Sequence, residues 1–320
     1  MALGGPPLVT RRATPREVVA AASPGLLVLV LALRRVPVDA PPRRPRARVR
    51  RTSLPAVKLA TFLLPGTNDP AAGEVQGQEV VAFAGGETVR DRLATGDTTP
   101  ADGDRYPLGE VELLAPVGRP RAIFGIGLNY ADHAAETGQD LPEKPIVFMK
   151  LPAASAPPGA AVPVPEVVRR LDYEGELVVV IGAGGAIAGY AVGDDVSGRD
   201  LQRREPQWTR AKGADGFCPW GPWITTADEV TDPTKLALRT WVNGELRQDS
   251  STEQLIFGPQ AVVDFISETC TLEPGDIILT GTPPGVGMAM DPPRFLAEGD
   301  VVRIEIEGLG AIEHPIGPQR

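Results

Sequence analysis

The chain has 320 residues and a formal net charge of −9, and its 36 Gly and 34 Pro are nearly twice the usual share. That composition argues against a long-helix bundle or coiled coil and for short strands joined by turns, while 42% hydrophobic and 23% charged residues exclude wholesale disorder. The charge is uneven: residues 1–51 hold 11 Arg, no Lys and two acids and so carry +9, leaving −18 on the rest, which excludes a basic nucleic-acid-binding body.

Residues 1–55 are expected to form an Arg/Pro-rich extension without regular structure, because runs such as Pro41-Pro42-Arg43-Arg44-Pro45-Arg46 favour neither helix nor strand. Translation is expected to start at Val57. The longest apolar run, Gly25–Leu33, has nine residues, against the ~20 that cross a bilayer, so no membrane span is expected. Residues 57–110 read as a small β-rich domain, with strands at Val57–Leu63 and Glu79–Ala84 and a polar, acid-rich stretch at Thr95–Asp104.

The main domain is expected over residues 119–316. Leu177–Ile181 is a continuous apolar run that suits a strand buried on both faces. Leu238–Arg247 contains Asn243-Gly244, a strong two-residue hairpin signal. Pro259 opens a helix whose apolar face is Val262, Phe265, Ile266 and Thr269. Val302, Ile304 and Ile306 alternate with Arg303, Glu305 and Glu307, the period of a half-buried strand. The two cysteines, Cys218 and Cys270, make neither a disulfide framework nor a zinc pattern and read as buried free thiols in a reducing cytoplasm.

Several stretches carry chemistry. Glu174 and Glu176 are two apart at the start of the apolar strand, so in an extended chain they share one face. Buried side by side they repel, unless a hard divalent cation with oxygen ligands relieves them. Asp195, ending a second strand, would either close a three-carboxylate site or cap a helix. Arg199 and Gln202 are three apart, neighbours on a helical face where Arg199 could clamp a carboxylate. His133 and Glu136 also stand at i, i+3, so the carboxylate can orient the imidazole as a general base. Lys212 is expected on a rigid loop, and Gly281–Gly287 as a turn that offers backbone N–H groups and the Thr282 hydroxyl to an anion.

In this order the stretches 127–133 (Gly-Leu-Asn-Tyr-Ala-Asp-His), 171–177 (Leu-Asp-Tyr-Glu-Gly-Glu-Leu), 195–202 (Asp-Val-Ser-Gly-Arg-Asp-Leu-Gln), 208–213 (Trp-Thr-Arg-Ala-Lys-Gly) and 280–287 (Thr-Gly-Thr-Pro-Pro-Gly-Val-Gly) resemble the fumarylacetoacetate hydrolase family. The resemblance implies an α+β, mainly β fold, a mixed β-sandwich roll preceded by a small β-rich domain, in a homodimer. It implies Mg²⁺ or Mn²⁺ held by Glu174, Glu176 and Asp195, a His133–Glu136 catalytic dyad, and substrate contacts from Arg199, Gln202, Lys212 and Thr282. The expected substrate is a small 2-oxo acid. The expected reaction is hydrolytic C–C cleavage of a diketo acid such as an acylpyruvate; the alternatives are isomerisation or decarboxylation of a 2-hydroxy-dienoate or oxaloacetate, or plain metal and ligand binding. His314 stands where the family pattern has Asn, and reads as incidental.

Overall fold

All seven residues of the strand Gly175–Ile181 are buried. Each large aliphatic side chain there contributes roughly 1.5–3 kcal/mol relative to exposure. Such a strand needs cover on both faces and a partner on both edges, and the computed structural model, which describes residues 57–320, supplies them. The expected extension over 1–55 lies outside the described residues. The strand pairs with Ile187–Asp194 on one edge and Ile277–Leu279 on the other, near the middle of a twelve-stranded sheet. Beyond Ile277–Leu279 come Ile123–Gly127, in parallel, and the edge strand Ile146–Lys150. In the other direction Cys218–Thr226 follows Ile187–Asp194 and then pairs with Lys58–Leu63 through Lys58↔Thr225 and Leu59↔Ile224. The N-terminal strands Pro70–Gln76, Glu79–Ala82 and Arg105–Pro107 extend this same sheet.

A second sheet of five strands runs Glu245–Ser251, Ala237–Val242, Val301–Ile306, Gly310–Gln319 and Val162–Val164. Its hairpin turn is Asn243-Gly244, with φ of 52° and 78°, the positive values such a turn demands. Val301–Ile306 alternates partly buried and buried residues, as its sequence period implies.

Among the described residues five α-helices complete an α+β, mainly β architecture: α1 (Val89–Thr95), α2 (Ala131–Thr137), α3 (Arg199–Arg204), α4 (Thr209–Lys212) and α5 (Pro259–Ser267). Helix α1 falls where no helix was expected. A capping box starts it, with Thr88 and Asp91 each accepting from the other's backbone N–H, and Gly96 closes it at φ 69°. Helix α5 begins at Pro259 but buries Val262, Val263 and Ile266; Thr269 lies beyond its end. The expected pair of buried thiols needs correction. Cys218 is buried, and burial pushes its thiol up to about 12, whereas Cys270 is exposed. No helix among the described residues is long and apolar enough to cross a membrane.

Candidate active site

The hairpin at the centre of the large sheet explains how acids twenty residues apart meet. Antiparallel pairing sets Gly175 opposite Asp194 and Glu176 opposite Gly193, so Glu174 and Asp195 lie side by side at its open end. The Asp195 N–H donates to the Glu174 carbonyl (2.9 Å) and the Glu174 N–H to Asp194 Oδ1 (2.8 Å). Glu174, Glu176 and Asp195 are all buried, with ligand oxygens within 4.8 Å of one another. Gly175, between the two glutamates, faces the second sheet. A Cβ there would stand 2.4 Å from Thr240 Oγ1, so only glycine lets the sheets approach this closely.

Cations surround two of the three acids. Arg199, at the start of α3, reaches Glu174 Oε1 (2.6 Å) and Asp172 Oδ2 (2.8 Å), and its Nη1 donates to Gln202 Oε1 (2.9 Å). Lys212 ends α4 instead of standing on a loop. Its ammonium lies between Glu174 Oε2 (2.5 Å) and Asp195 Oδ2 (2.6 Å). Lys150, at the end of the edge strand, takes Asp195 Oδ1 and donates to the Val196 carbonyl (3.2 Å). Burial works to raise the Glu174 carboxyl, but Arg199 and Lys212 outweigh it and hold the group well below the usual carboxylate range.

Glu176 differs. Burial, then Asp195 and Glu174, push its carboxyl well above the usual range. It makes no ion pair among the described residues and accepts from the Gly281 N–H (2.6 Å). A buried acid beside two others and lacking a cation of its own fits a divalent-ion site. Glu174 and Asp195 keep unused lone pairs despite their ammonium and guanidinium partners, and an all-oxygen set suits Mg²⁺ or Mn²⁺. The sign of the pH effect follows. A folded-state pKa above the unfolded one makes the metal-free fold lose stability as pH rises through the folded value, and a bound cation cancels that loss. The rise in melting temperature on adding Mn²⁺ to chelator-treated protein is therefore expected to grow as pH rises above the ordinary carboxylate range. Calorimetry checks this, and a pH-independent rise would contradict it.

The imidazole and its partner lie on α2. His133 Nδ1 is 2.9 Å from Glu136 Oε2, and Glu136 Oε1 accepts from the Gly285 N–H at 2.9 Å. Asp132 of the same helix accepts from Ser250 Oγ (2.6 Å), so the helix is tied to both the 281–288 loop and the second sheet. A cavity of about 390 Å³ opens here. All the expected site residues except Asp195 and Glu136 line it, with Asp195 buried and Glu136 bonded to the His133 ring. Thr282 lines the cavity, but its hydroxyl donates to the Gly175 carbonyl (3.0 Å) and accepts from Gln248 Nε2 (2.8 Å).

Three residues of the surroundings, Lys150, Asp172 and Gln248, escape the sequence reading, and a fourth, His314, is misread by it. Lys150 was signalled only as a lone cation in the apolar run Ile146–Leu151. Asp172 collects Arg199 and the N–H groups of Gly287 and Met288. Gln248, fully buried, accepts from the Gly175 N–H (3.0 Å) while holding Thr282. His314 is not incidental: it is fully buried, with Nε2 3.0 Å from Asp194 Oδ2, on the carboxylate whose other oxygen fixes the Glu174 backbone.

A family model described as fumarylacetoacetate (FAA) hydrolase, C-terminal, matches residues 122–317. The chain is 43% identical over 218 residues to a mitochondrial oxaloacetate tautomerase of Xenopus laevis, covering 64% of this chain and 68% of that one. Among solved structures, a 2-hydroxyhepta-2,4-diene-1,7-dioate isomerase from Mycobacterium marinum superposes with a TM-score of 0.69 at 35% identity, over 82% of this chain and 98% of its own. A fumarylacetoacetate hydrolase from Exiguobacterium antarcticum gives 0.73 at 34%, over 82% and 100%.

Proposed function

The chain belongs to the fumarylacetoacetate hydrolase family and is an enzyme, and from that premise we propose that it is a metal-dependent tautomerase or isomerase of a small 2-oxo acid, such as oxaloacetate or a 2-hydroxy-dienoate. One observation carries the reading: a single oriented imidazole faces the same cavity as the buried acid–cation cluster. The names of the tautomerase and isomerase relatives support proton transfer ahead of C–C hydrolysis. Hydrolytic C–C cleavage of a diketo acid is the second reading, favoured by the name of the Exiguobacterium relative, a fumarylacetoacetate hydrolase.

Glu136 accepts the Nδ1 proton of His133 and leaves the Nε2 lone pair for substrate. Nε2 takes a proton from C3 of the 2-oxo acid and returns it to O2, so the ring ends as it began and no atom is gained or lost. Arg199 and Lys212 place positive charge where the enolate charge develops, and Gln202 orients Arg199 through its 2.9 Å hydrogen bond. A Mg²⁺ or Mn²⁺ ion bound by Glu174, Glu176 and Asp195 would supply Lewis-acid polarisation of the 2-oxo carbonyl. The homodimer implied by the resemblance has a suitable surface in the sheet-edge strand Ile146–Lys150, where Ile146, Val147, Met149 and neighbouring Leu151 are exposed.

The test is to follow the ultraviolet absorbance of oxaloacetate enol with Mn²⁺, with carbon dioxide release and acylpyruvate cleavage run in parallel. Enol loss above the buffer rate is expected, falling about 10²–10⁴-fold in a His133→Ala variant that still binds Mn²⁺. Acylpyruvate cleavage alone would return the reading to hydrolysis, and an active His133→Ala variant would overturn the assignment of the base.

A further inference from the structure

The cavity has two chemically different ends. At the inner end each cation already has acid partners: Arg199 has Asp172 and Glu174, and Lys212 has Glu174 and Asp195. Arg203 lines the same cavity, is exposed, and forms no ion pair among the described residues. It follows Arg199 by four positions on α3, which puts the two guanidinium stems on one helical face about 6 Å apart along the axis. The wall beside them is apolar: Phe148 and Trp208 meet edge to face at 5.4 Å, with Leu128 and Ile146 also lining it. A guanidinium without a counter-charge at the mouth of a largely neutral wall suits a planar anion, and its fork matches a carboxylate.

We propose that Arg203 binds a second, distal carboxylate of the substrate, so that the site selects dicarboxylic over monocarboxylic 2-oxo acids. The proposal rests on the reading of this cavity as a 2-oxo acid site. The inner cluster takes the 2-oxo acid head, and the helix turn from Arg199 to Arg203 spans the carbon chain to the outer carboxylate.

Binding by unreactive analogues separates this proposal from the reaction itself. Malate and lactate share a 2-hydroxy acid head and differ by the distal carboxylate. Titration calorimetry with the Mn²⁺-loaded protein is expected to show malate bound at least tenfold more tightly than lactate. Arg203→Gln is expected to bring that ratio close to one, Arg203→Lys to retain part of it, and Arg204→Gln, whose side chain does not line the cavity, to leave it intact. In kinetics, Arg203→Gln should raise KM for oxaloacetate at least tenfold with a much smaller change in kcat, the pattern of lost uniform binding. An equal malate-to-lactate ratio in the parent protein, or a ratio unmoved by Arg203→Gln, overturns the proposal even if oxaloacetate is turned over. A ratio that collapses in Arg203→Gln supports it even if no tautomerase activity is found, in which case the reaction assignment alone fails.

Discussion

A Glu176→Gln chain is expected to lose Mn²⁺ binding, and with it turnover by on the order of a thousandfold, while its metal-free fold stays at least as stable as the parent. The two effects separate because Glu176 is the acid without an ion-pair partner of its own. Its charge is costly to the metal-free protein and useful only to a bound cation. The amide keeps the volume of the carboxylate, and its oxygen can still accept the Gly281 N–H now found at 2.6 Å. Thermal unfolding in chelator, Mn²⁺ titration and the enol assay together check this. Mn²⁺ affinity equal to the parent's would remove Glu176 from the ion site.

Lys212→Met is expected to do the opposite to stability. The ammonium stands between Glu174 and Asp195, both buried. Burial alone opposes its charge, and Asp195 and Glu174 outweigh burial to raise its pKa. Removing one partner of a buried ion pair leaves uncompensated charge and costs about 3–5 kcal/mol, a fall in melting temperature of roughly 10 °C for a chain of this size. Mn²⁺ should restore more stability to this variant than to the parent, since the freed carboxylates gain a cation. Urea unfolding with and without Mn²⁺ measures both quantities, and a loss below about 1 kcal/mol would mean that the acids find other partners.

Residues whose partners are near in sequence were the easiest to read. His133 and Glu136, or Arg199 and Gln202, need only a helical turn to meet, and the structure joins each pair at 2.9 Å. Asn243-Gly244 announces its hairpin because few residue pairs tolerate positive φ twice. The start of α1 was equally local, in Thr88 and Asp91, yet passed unread because the helix is only seven residues long and carries a weak apolar face. Lys150 and His314 were not readable by such means. Each meets its acid only after separate strands have been placed, Lys150 across 45 residues to Asp195 and His314 across 120 to Asp194. Lys212 was singled out, but a four-residue helix has too few turns to show a period, so its surroundings were misjudged.

Glu136 divides its carboxylate between two tasks, one oxygen on the His133 ring and the other on the Gly285 N–H. The contact that seats α2 against the 281–288 loop is thus made by the group that orients the His133 ring. Were the helix to lift, Glu136 would lose its anchor and meet bulk water, and the imidazole would lose its fixed tautomer. On the proposed mechanism, displacing α2 would break the Glu136–Gly285 contact and disarm the base in one movement, so proton transfer would depend on the helix staying seated against the loop.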